Sequence, residues 1–159
     1  MLAAFEDLAA RDEEAVLLVA GREGSAAPEL AIQYQMMRFR DRVRFLGHRD
    51  DIPVLLQVAD VVVCSSYREG AAGALIEAMA SGTPIVTTRL SGLEDVLIDG
   101  INAVVVAPGE LATGILSVLG DPLMAERLAQ RARADFAARF TVEQSAQALL
   151  AVYRWAARR

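Results

Sequence analysis

Short apolar runs alternate with longer amphipathic segments along this 159-residue chain. The runs are about four residues long and rich in Val and Ile, and several are bounded by Gly, Asp or Ser. Such runs are typical of strands that are buried on both faces, as in a parallel sheet. They predict strands at 16–19, 43–46, 61–64, 84–87 and 103–106.

The segments between these runs predict helices, because their apolar residues recur at helical spacing. Pro28 suits the first turn of a helix, and Thr141 suits the position that caps one. The last two helices follow each other without a strand between them, so we expect them to close the fold. The helices are predicted at 2–11, 28–38, 72–81, 110–119, 122–138 and 141–157, with a short one around Ile52, Leu55 and Leu56.

The alternation of strands and helices predicts right-handed crossovers and a doubly wound α/β fold with a mostly parallel, Rossmann-like sheet. Neither an internal repeat nor a linker rich in Pro and Gly divides the chain, so residues 1–159 are expected to form a single domain. The chain opens directly in a helix, whereas a doubly wound fold places a strand before each helix. The domain is therefore expected to be truncated at its N-terminus.

The amino-acid composition excludes several classes of protein and several kinds of site. Apolar residues make up 54% and charged residues 23% of the chain, which excludes a disordered protein. A net charge of −5 argues against nucleic acid as the main partner. No apolar stretch approaches the ~18 residues of a transmembrane helix, and the N-terminus lacks the basic region of a signal peptide, so a cytoplasmic protein is expected. One cysteine, one histidine and the absence of lysine exclude an internal disulfide, a metal site built from several Cys or His, and lysine chemistry.

The most informative stretch follows the third predicted strand, which ends at Cys64. Ligands of open α/β sheets bind beyond the carboxyl ends of the strands, where helix N-termini offer free N–H groups to anions. Gly70 and Gly73 allow a ligand to approach the backbone closely, and the carboxylates of Glu69 and Glu77 can accept hydrogen bonds from sugar hydroxyls. The loop therefore suits a nucleotide-sugar without a metal ion. The alternative is a solvated Glu69 and a Glu77 that stabilises the helix dipole.

The same stretch resembles the donor-site motif of retaining GT-B glycosyltransferases of family four, the glycosyl transferases group 1. That motif is Glu-x7-Glu followed by Ala-Met-Ala-x-Gly-x-Pro-Val, and here Glu69 and Glu77 precede Ala-Met-Ala-Ser-Gly-Thr-Pro-Ile at 78–85. The resemblance extends over nearly the whole chain in the same order. Further matching segments are Val43–Gly47, Ala59–Val61, Ser91–Val96, Asp99–Ala103 and Pro108-Gly109.

The resemblance implies roles by position. Glu69 is the catalytic residue that contacts the donor sugar, and Glu77 binds the ribose hydroxyls. The remaining donor-binding residues are Gly70, Ala71, Ala72 and Gly73 at the sugar and phosphates, Gly92 at the diphosphate, and Leu46 and Gly47 near the nucleobase. The implied chemistry is retaining and needs neither metal nor cofactor, because the leaving phosphate accepts the proton of the acceptor hydroxyl.

The sequence also departs from the family pattern. Ala71 and Ala72 stand where the family often has larger residues or Gly and Pro, and Ala103 replaces a Gly. The Arg/Lys pair that grips the diphosphate in the family has no counterpart, and the N-terminal acceptor-binding half is absent. The resemblance therefore implies a nucleotide-sugar-binding domain that is inactive in isolation and works with a missing acceptor domain or a separate subunit of a split enzyme.

Other interpretations stay open at this stage. The fold could serve a non-enzymatic module that binds a protein partner. Half of a nucleotide-sugar epimerase ranks last, because it needs His and acidic catalytic groups from strands that this sequence does not show. A dinucleotide oxidoreductase is disfavoured because residues 21–24 do not match its glycine motif. Arg68 and Arg89 each either reach a phosphate or are solvated. The structural interpretations are a surface or structural His48, a buried apolar Cys64, helix capping by Asp50 and Asp51, and a partly exposed Trp155.

Overall fold

The computed structural model describes residues 1–22, 24, 27–66 and 73–158, and strands alternate with helices through most of them. The strands are β1 (Leu17–Ala20), β2 (Val43–Gly47), β3 (Val62–Cys64), β4 (Ile85–Thr88) and β5 (Val104–Val106). The helices are α1 (Leu2–Ala9), α2 (Ala27–Met36), α3 (Ile52–Val58), α4 (Gly73–Ser81), α5 (Leu111–Gly120), α6 (Pro122–Arg139) and α7 (Val142–Ala156). Short 3₁₀ turns at Arg40–Arg42 and Pro108–Glu110 precede β2 and α5.

These elements confirm the predicted order and lie within two residues of the predicted ends. The strands pair in two groups, β1 with β2 and β3 with β4 and β5, and every pairing is parallel. Helices flank the strands, as the predicted doubly wound α/β fold requires.

The two groups of strands share a buried cluster under α1 and α5. Leu17 and Val19 of β1 pack in this cluster with Val61 and Val63 from β3 and the residue before it. The buried side chains of Phe5 in α1 and Ile115 in α5 fill the same cluster. One apolar layer therefore joins both groups.

The central strand β4 has helices on both faces. Ile85 packs in one buried cluster with residues of α4, and its neighbour Val86 packs in the other with residues of α1 and α5. Helix α5 lies close to the sheet at Gly114. A Cβ at this position would lie 3.0 Å from Val86 Cγ1 and 3.1 Å from Val106 Cγ1. A side chain at position 114 would therefore push the helix away from the sheet.

The prediction that each strand is buried on both faces is right for β4 and wrong for β1 and β2. All four residues of β4 are buried, whereas β1 alternates between half-buried and exposed residues. Leu18 in β1 is 44% exposed and Phe45 in β2 is 46% exposed. Leu17 and Val19 face the cluster under α1 and α5, so the alternation of the strand turns Leu18 to the opposite, open face. Phe45 pairs with Val19 and lies on the covered face, where Tyr34 of α2 packs edge-to-face with its ring and leaves the rest exposed.

Candidate functional site

The carboxyl ends of the strands form one edge of each group, because the pairing is parallel. At the ends of β1 and β2 the backbone N–H of Gly21 donates to the carbonyl oxygen of Gly47 at 2.8 Å. Gly47 has a φ of 64°, in the region that favours glycine. Leu46 and Gly47 are the last two residues of β2, so both predicted nucleobase contacts lie at this edge. Leu46 is half-buried and Gly47 is exposed.

Helix α4 follows β3 and carries Glu77, the predicted ribose ligand. Gly73 and Glu77 are exposed, whereas Leu75, Ala78 and Met79 are buried against the core. The apolar spacing of the helix therefore turns the Glu77 carboxylate away from the core and toward solvent.

Gly92, the predicted diphosphate contact, lies in the segment between β4 and β5. It is exposed and has a φ of 91°, which L side chains rarely adopt. Its N–H donates to Glu94 Oε2 at 2.8 Å. This turn thus presents a backbone N–H that holds an anionic oxygen.

The segments that carry Glu77 and Gly92 are held next to each other. Leu75 of α4 and Leu90, two residues before Gly92, belong to one buried cluster. At the strand ends, the hydroxyl of Thr88 donates to the carbonyl oxygen of Ser66, which links the end of β4 to the residues that follow β3. The structure therefore links the ends of β3 and β4, after which the segments with Glu77 and Gly92 follow.

A cavity of about 140 Å³ lies under the Gly92 segment. Thr87 and Thr88 of β4 line it together with Arg89, Glu94 and Asp99. Its volume is below the ~300–1,000 Å³ of pockets that enclose drug-sized ligands. The cavity has room for water, and a nucleotide would have to lie outside it.

The predicted catalytic Glu69 and the predicted backbone contacts Gly70, Ala71 and Ala72 lie outside the described residues, as does Arg68. The described site is therefore bounded by Ser66 on one side of this loop and Gly73 on the other. The described flank includes Cys64, which is half-buried and packs against the apolar cluster around α4, in agreement with its predicted apolar role.

Charged residues follow β2 near Leu46 and Gly47. His48 Nε2 lies 3.4 Å from Asp50 Oδ1, and both side chains are largely exposed. Arg49 donates from Nε and Nη2 to the Asp51 carboxylate at 2.8 and 2.6 Å, and this hydrogen bonding lowers the pKa of Asp51. Asp51 occupies the N-cap position of α3, as predicted, but its side chain makes no capping hydrogen bond, because Arg49 holds the carboxylate.

Asn102 is a site-related residue to which sequence reasoning assigned no role. Its side chain is 1% exposed; its amide oxygen accepts from Ile98 N, and its amide nitrogen donates to Val96 O and Asp135 Oδ2, each at 2.8 Å. The signal in the sequence was an amide side chain placed directly before an apolar strand, which must be hydrogen-bonded if buried.

Across 1–22, 24, 27–66 and 73–158, no cluster of three or more His, Cys, Asp or Glu side chains has the arrangement of a metal site. Among the helices of the described chain, none combines the length and the apolarity that crossing a membrane requires.

Comparison with known proteins identifies relatives and solved structures that are similar to this chain. The glycogen synthase of Mycobacterium tuberculosis is 37% identical over 142 residues, which cover 86% of this chain and 34% of that protein. Anabaena HepE, solved in complex with UDP and glucose, superposes with a TM-score of 0.86 at 27% identity and covers 96% of this chain and 44% of its own. Sucrose-phosphate synthase from Thermosynechococcus elongatus gives a TM-score of 0.86 at 28% identity, over 97% of this chain and 41% of its own.

The chain thus spans about a third of the length of the glycogen synthase that it matches. The sequence profile of the glycosyl transferases group 1 matches residues 1–135, which include β1 to β5, α4 and the Gly92 segment. The fold and this match agree with the resemblance found in the sequence, and the chain belongs to the glycosyl transferases group 1.

Proposed function

We propose that this domain binds the nucleotide-sugar donor of a retaining, metal-independent glycosyltransferase. The observation that supports the proposal is that β3 and β4 pair in parallel and that each is followed by a segment with an exposed candidate group, Glu77 on α4 after β3 and Gly92 after β4. Sites of open α/β sheets lie beyond the carboxyl ends of the strands. HepE, which superposes on 96% of the chain, was solved with UDP and glucose, and this supports a nucleotide-sugar as the ligand.

Each group in the proposed site has a chemical task. Glu77 accepts hydrogen bonds from the ribose hydroxyls, and the residues at the end of β2 lie beside the base. The Gly92 N–H exchanges the Glu94 oxygen for a phosphate oxygen, which backbone N–H groups bind well. Glu69 contacts the sugar, and Arg89 at the cavity supplies a cation beside the phosphates.

The transfer itself requires an acceptor hydroxyl that a further domain or a separate subunit holds. The bond between the anomeric carbon and the diphosphate breaks, a new bond to the acceptor oxygen forms on the same face, and the leaving phosphate takes the proton. Because donor and acceptor must be held together on one face of the sugar, we expect the 159-residue chain to bind donor and to transfer no sugar by itself.

Calorimetric titration of the chain with UDP, GDP and ADP tests the proposal. We expect saturable binding of at least one nucleotide and a loss of about 10- to 100-fold in affinity in Glu77→Gln, since the substitution removes charged hydrogen bonds. Glu126→Gln, the same change at an exposed position of α6, is the matched control and should leave affinity unchanged. Equal affinity of Glu77→Gln and the unsubstituted chain would contradict the proposed site.

The second candidate function is a module that binds another protein. It is favoured by α7, on which Val142, Leu149, Leu150 and Val152 are each at least 50% exposed. The titration distinguishes the two candidates, because such a module would bind none of the three nucleotides.

A further inference from the structure

Helix α6 lies along the segment that carries Gly92 and contacts it through polar side chains. The buried Asn102 lies at the end of this segment and donates from Nδ2 to Asp135 Oδ2 on α6 at 2.8 Å. The other hydrogen bonds of Asn102, with Ile98 N and Val96 O, fold the segment around the same side chain. Through Asn102, Asp135 therefore helps to hold the backbone between β4 and β5 in its conformation.

Two further side chains of α6 hold the same segment. Arg139 donates from Nη1 to the carbonyl oxygen of Asp95 at 2.7 Å and from Nη2 to the Asp95 carboxylate at 3.1 Å. Arg127 donates from Nη1 to the carbonyl oxygen of Gly100 at 3.3 Å. We call the three contacts Asn102–Asp135, Asp95–Arg139 and Gly100–Arg127 the α6 clamp.

The clamp residues occupy one face of α6. Positions 127, 131, 135 and 139 follow each other at intervals of four, which places them in one row on a helix. Arg131, the remaining member of the row, donates from Nε to the Asp135 carboxylate at 3.0 Å and thereby holds that carboxylate in position. Three members of the row thus hydrogen-bond to the Gly92 segment, and Arg131 holds the carboxylate of one of them.

The apolar side of the same helix packs against α4. Ala132 is fully buried in the cluster that contains Leu75, Ala78 and Met79 of α4. Phe136 and Phe140 pack against this cluster as well. One rigid helix therefore contacts both the element that carries Glu77 and the segment that carries Gly92.

We infer that α6 is the positioning element of the donor site and that the α6 clamp holds the Gly92 turn where a diphosphate can reach it. The inference rests on the proposed function. Asp135 and Arg139 act through the backbone of the Gly92 segment and do not touch the nucleotide. A supporting layer of this kind fixes the groups that contact a ligand, so its loss affects the ligand atoms that those groups meet.

The test compares UDP with UMP, which lacks the terminal phosphate. Asp135→Ala removes the acceptor of Asn102, whereas Asp135→Asn keeps an oxygen in the same place. We expect Asp135→Ala and Arg139→Ala to weaken UDP binding about three- to tenfold, in line with the loss of one or two supporting hydrogen bonds to the segment, and to leave UMP binding unchanged. Asp135→Asn should restore UDP binding, and Gln130→Ala, which breaks only a contact with Glu126 on α6, should have no effect.

Hydrogen exchange on the same variants gives an independent measurement. Amides of residues 92–98 should exchange faster in Asp135→Ala and Arg139→Ala, while amides of α4 keep their protection. An equal loss of UDP and UMP affinity, or unchanged UDP affinity together with unchanged exchange, would overturn the inference. If the unsubstituted chain binds no UDP, the proposed function fails and the role in diphosphate binding fails with it, and the exchange data still show whether α6 holds the segment.

Discussion

Helices α6 and α7 follow each other in the chain, yet they relate to the core in opposite ways. Both begin with a side-chain cap: Asp121 accepts from Met124 N, and Thr141 accepts from Gln144 N. Helix α7 is the more amphipathic of the two, but none of its residues is buried. Helix α6 buries Leu128, Ala129 and Ala132 and connects α4 with the Gly92 segment.

The difference shows that an apolar stripe identifies the face that a helix can bury and leaves open whether anything covers it. In α6 the stripe meets the cluster around α4, and the polar row beside it meets the Gly92 segment. In α7 the stripe faces solvent in the described chain. Stability should therefore depend strongly on α6 and weakly on α7.

The largest expected effect comes from matched Leu→Ala substitutions. Leu128 is fully buried, so Leu128→Ala should lower the free energy of unfolding by about 2–5 kcal/mol. Leu149 is 51% exposed, and Leu149→Ala should change it by less than about 0.5 kcal/mol. Urea denaturation measures both values. Similar losses at the two positions would mean that the apolar face of α7 is covered in solution.

A smaller effect is expected from the two caps. Asp121→Ala should reduce the free energy of unfolding by about 1 kcal/mol, because α6 unfolds with the core. Thr141→Ala removes an equivalent bond, but we expect it to fray α7 locally without a measurable change in global stability. Denaturation monitored at the core, together with hydrogen exchange in α7, separates these results. A global loss in Thr141→Ala as large as that in Asp121→Ala would refute the comparison.

The smallest effect concerns Glu143 in the first turn of α7. Its pKa is lowered by hydrogen bonds from its backbone N–H and then from the Thr141 hydroxyl. A lowered pKa means that the ionised group stabilises α7 above its ordinary pKa and that this contribution is lost as pH falls through the folded value. In Thr141→Ala the pKa should rise partway toward the ordinary value, as an NMR titration of the carboxyl carbon would show. No rise would exclude the hydroxyl as a cause.

Much of the fold could be predicted because its signals are local. The apolar runs around Val62 and Ile85 predicted parallel strands, and the spacing of residues such as Leu111 and Ile115 predicted helices. What covers each element depends on contacts between distant parts of the chain. The exposure of Leu18 in β1 and of the apolar side chains of α7 could therefore not be predicted from the local sequence.

The candidate site also has parts that the sequence predicts and parts that it does not. Glu77 and Gly92 were predicted from the resemblance, and both are exposed, on segments whose neighbouring residues share a buried cluster. The contact between Asn102 and Asp135 joins residues 33 positions apart, so no local sequence pattern predicts it. Asp51 illustrates the opposite case, since a local capping signal was overridden by the neighbouring Arg49.

The most direct test of the central claim is an amide NMR spectrum of the chain during titration with UDP, with GDP and ADP in parallel. The account predicts that the amides of Gly47, Gly73 and Gly92 shift together, with one saturation curve, for the nucleotide that binds. Each of these glycines is exposed at the proposed edge. Saturable shifts confined to other parts of the molecule, or no shifts with any of the three nucleotides, would contradict it.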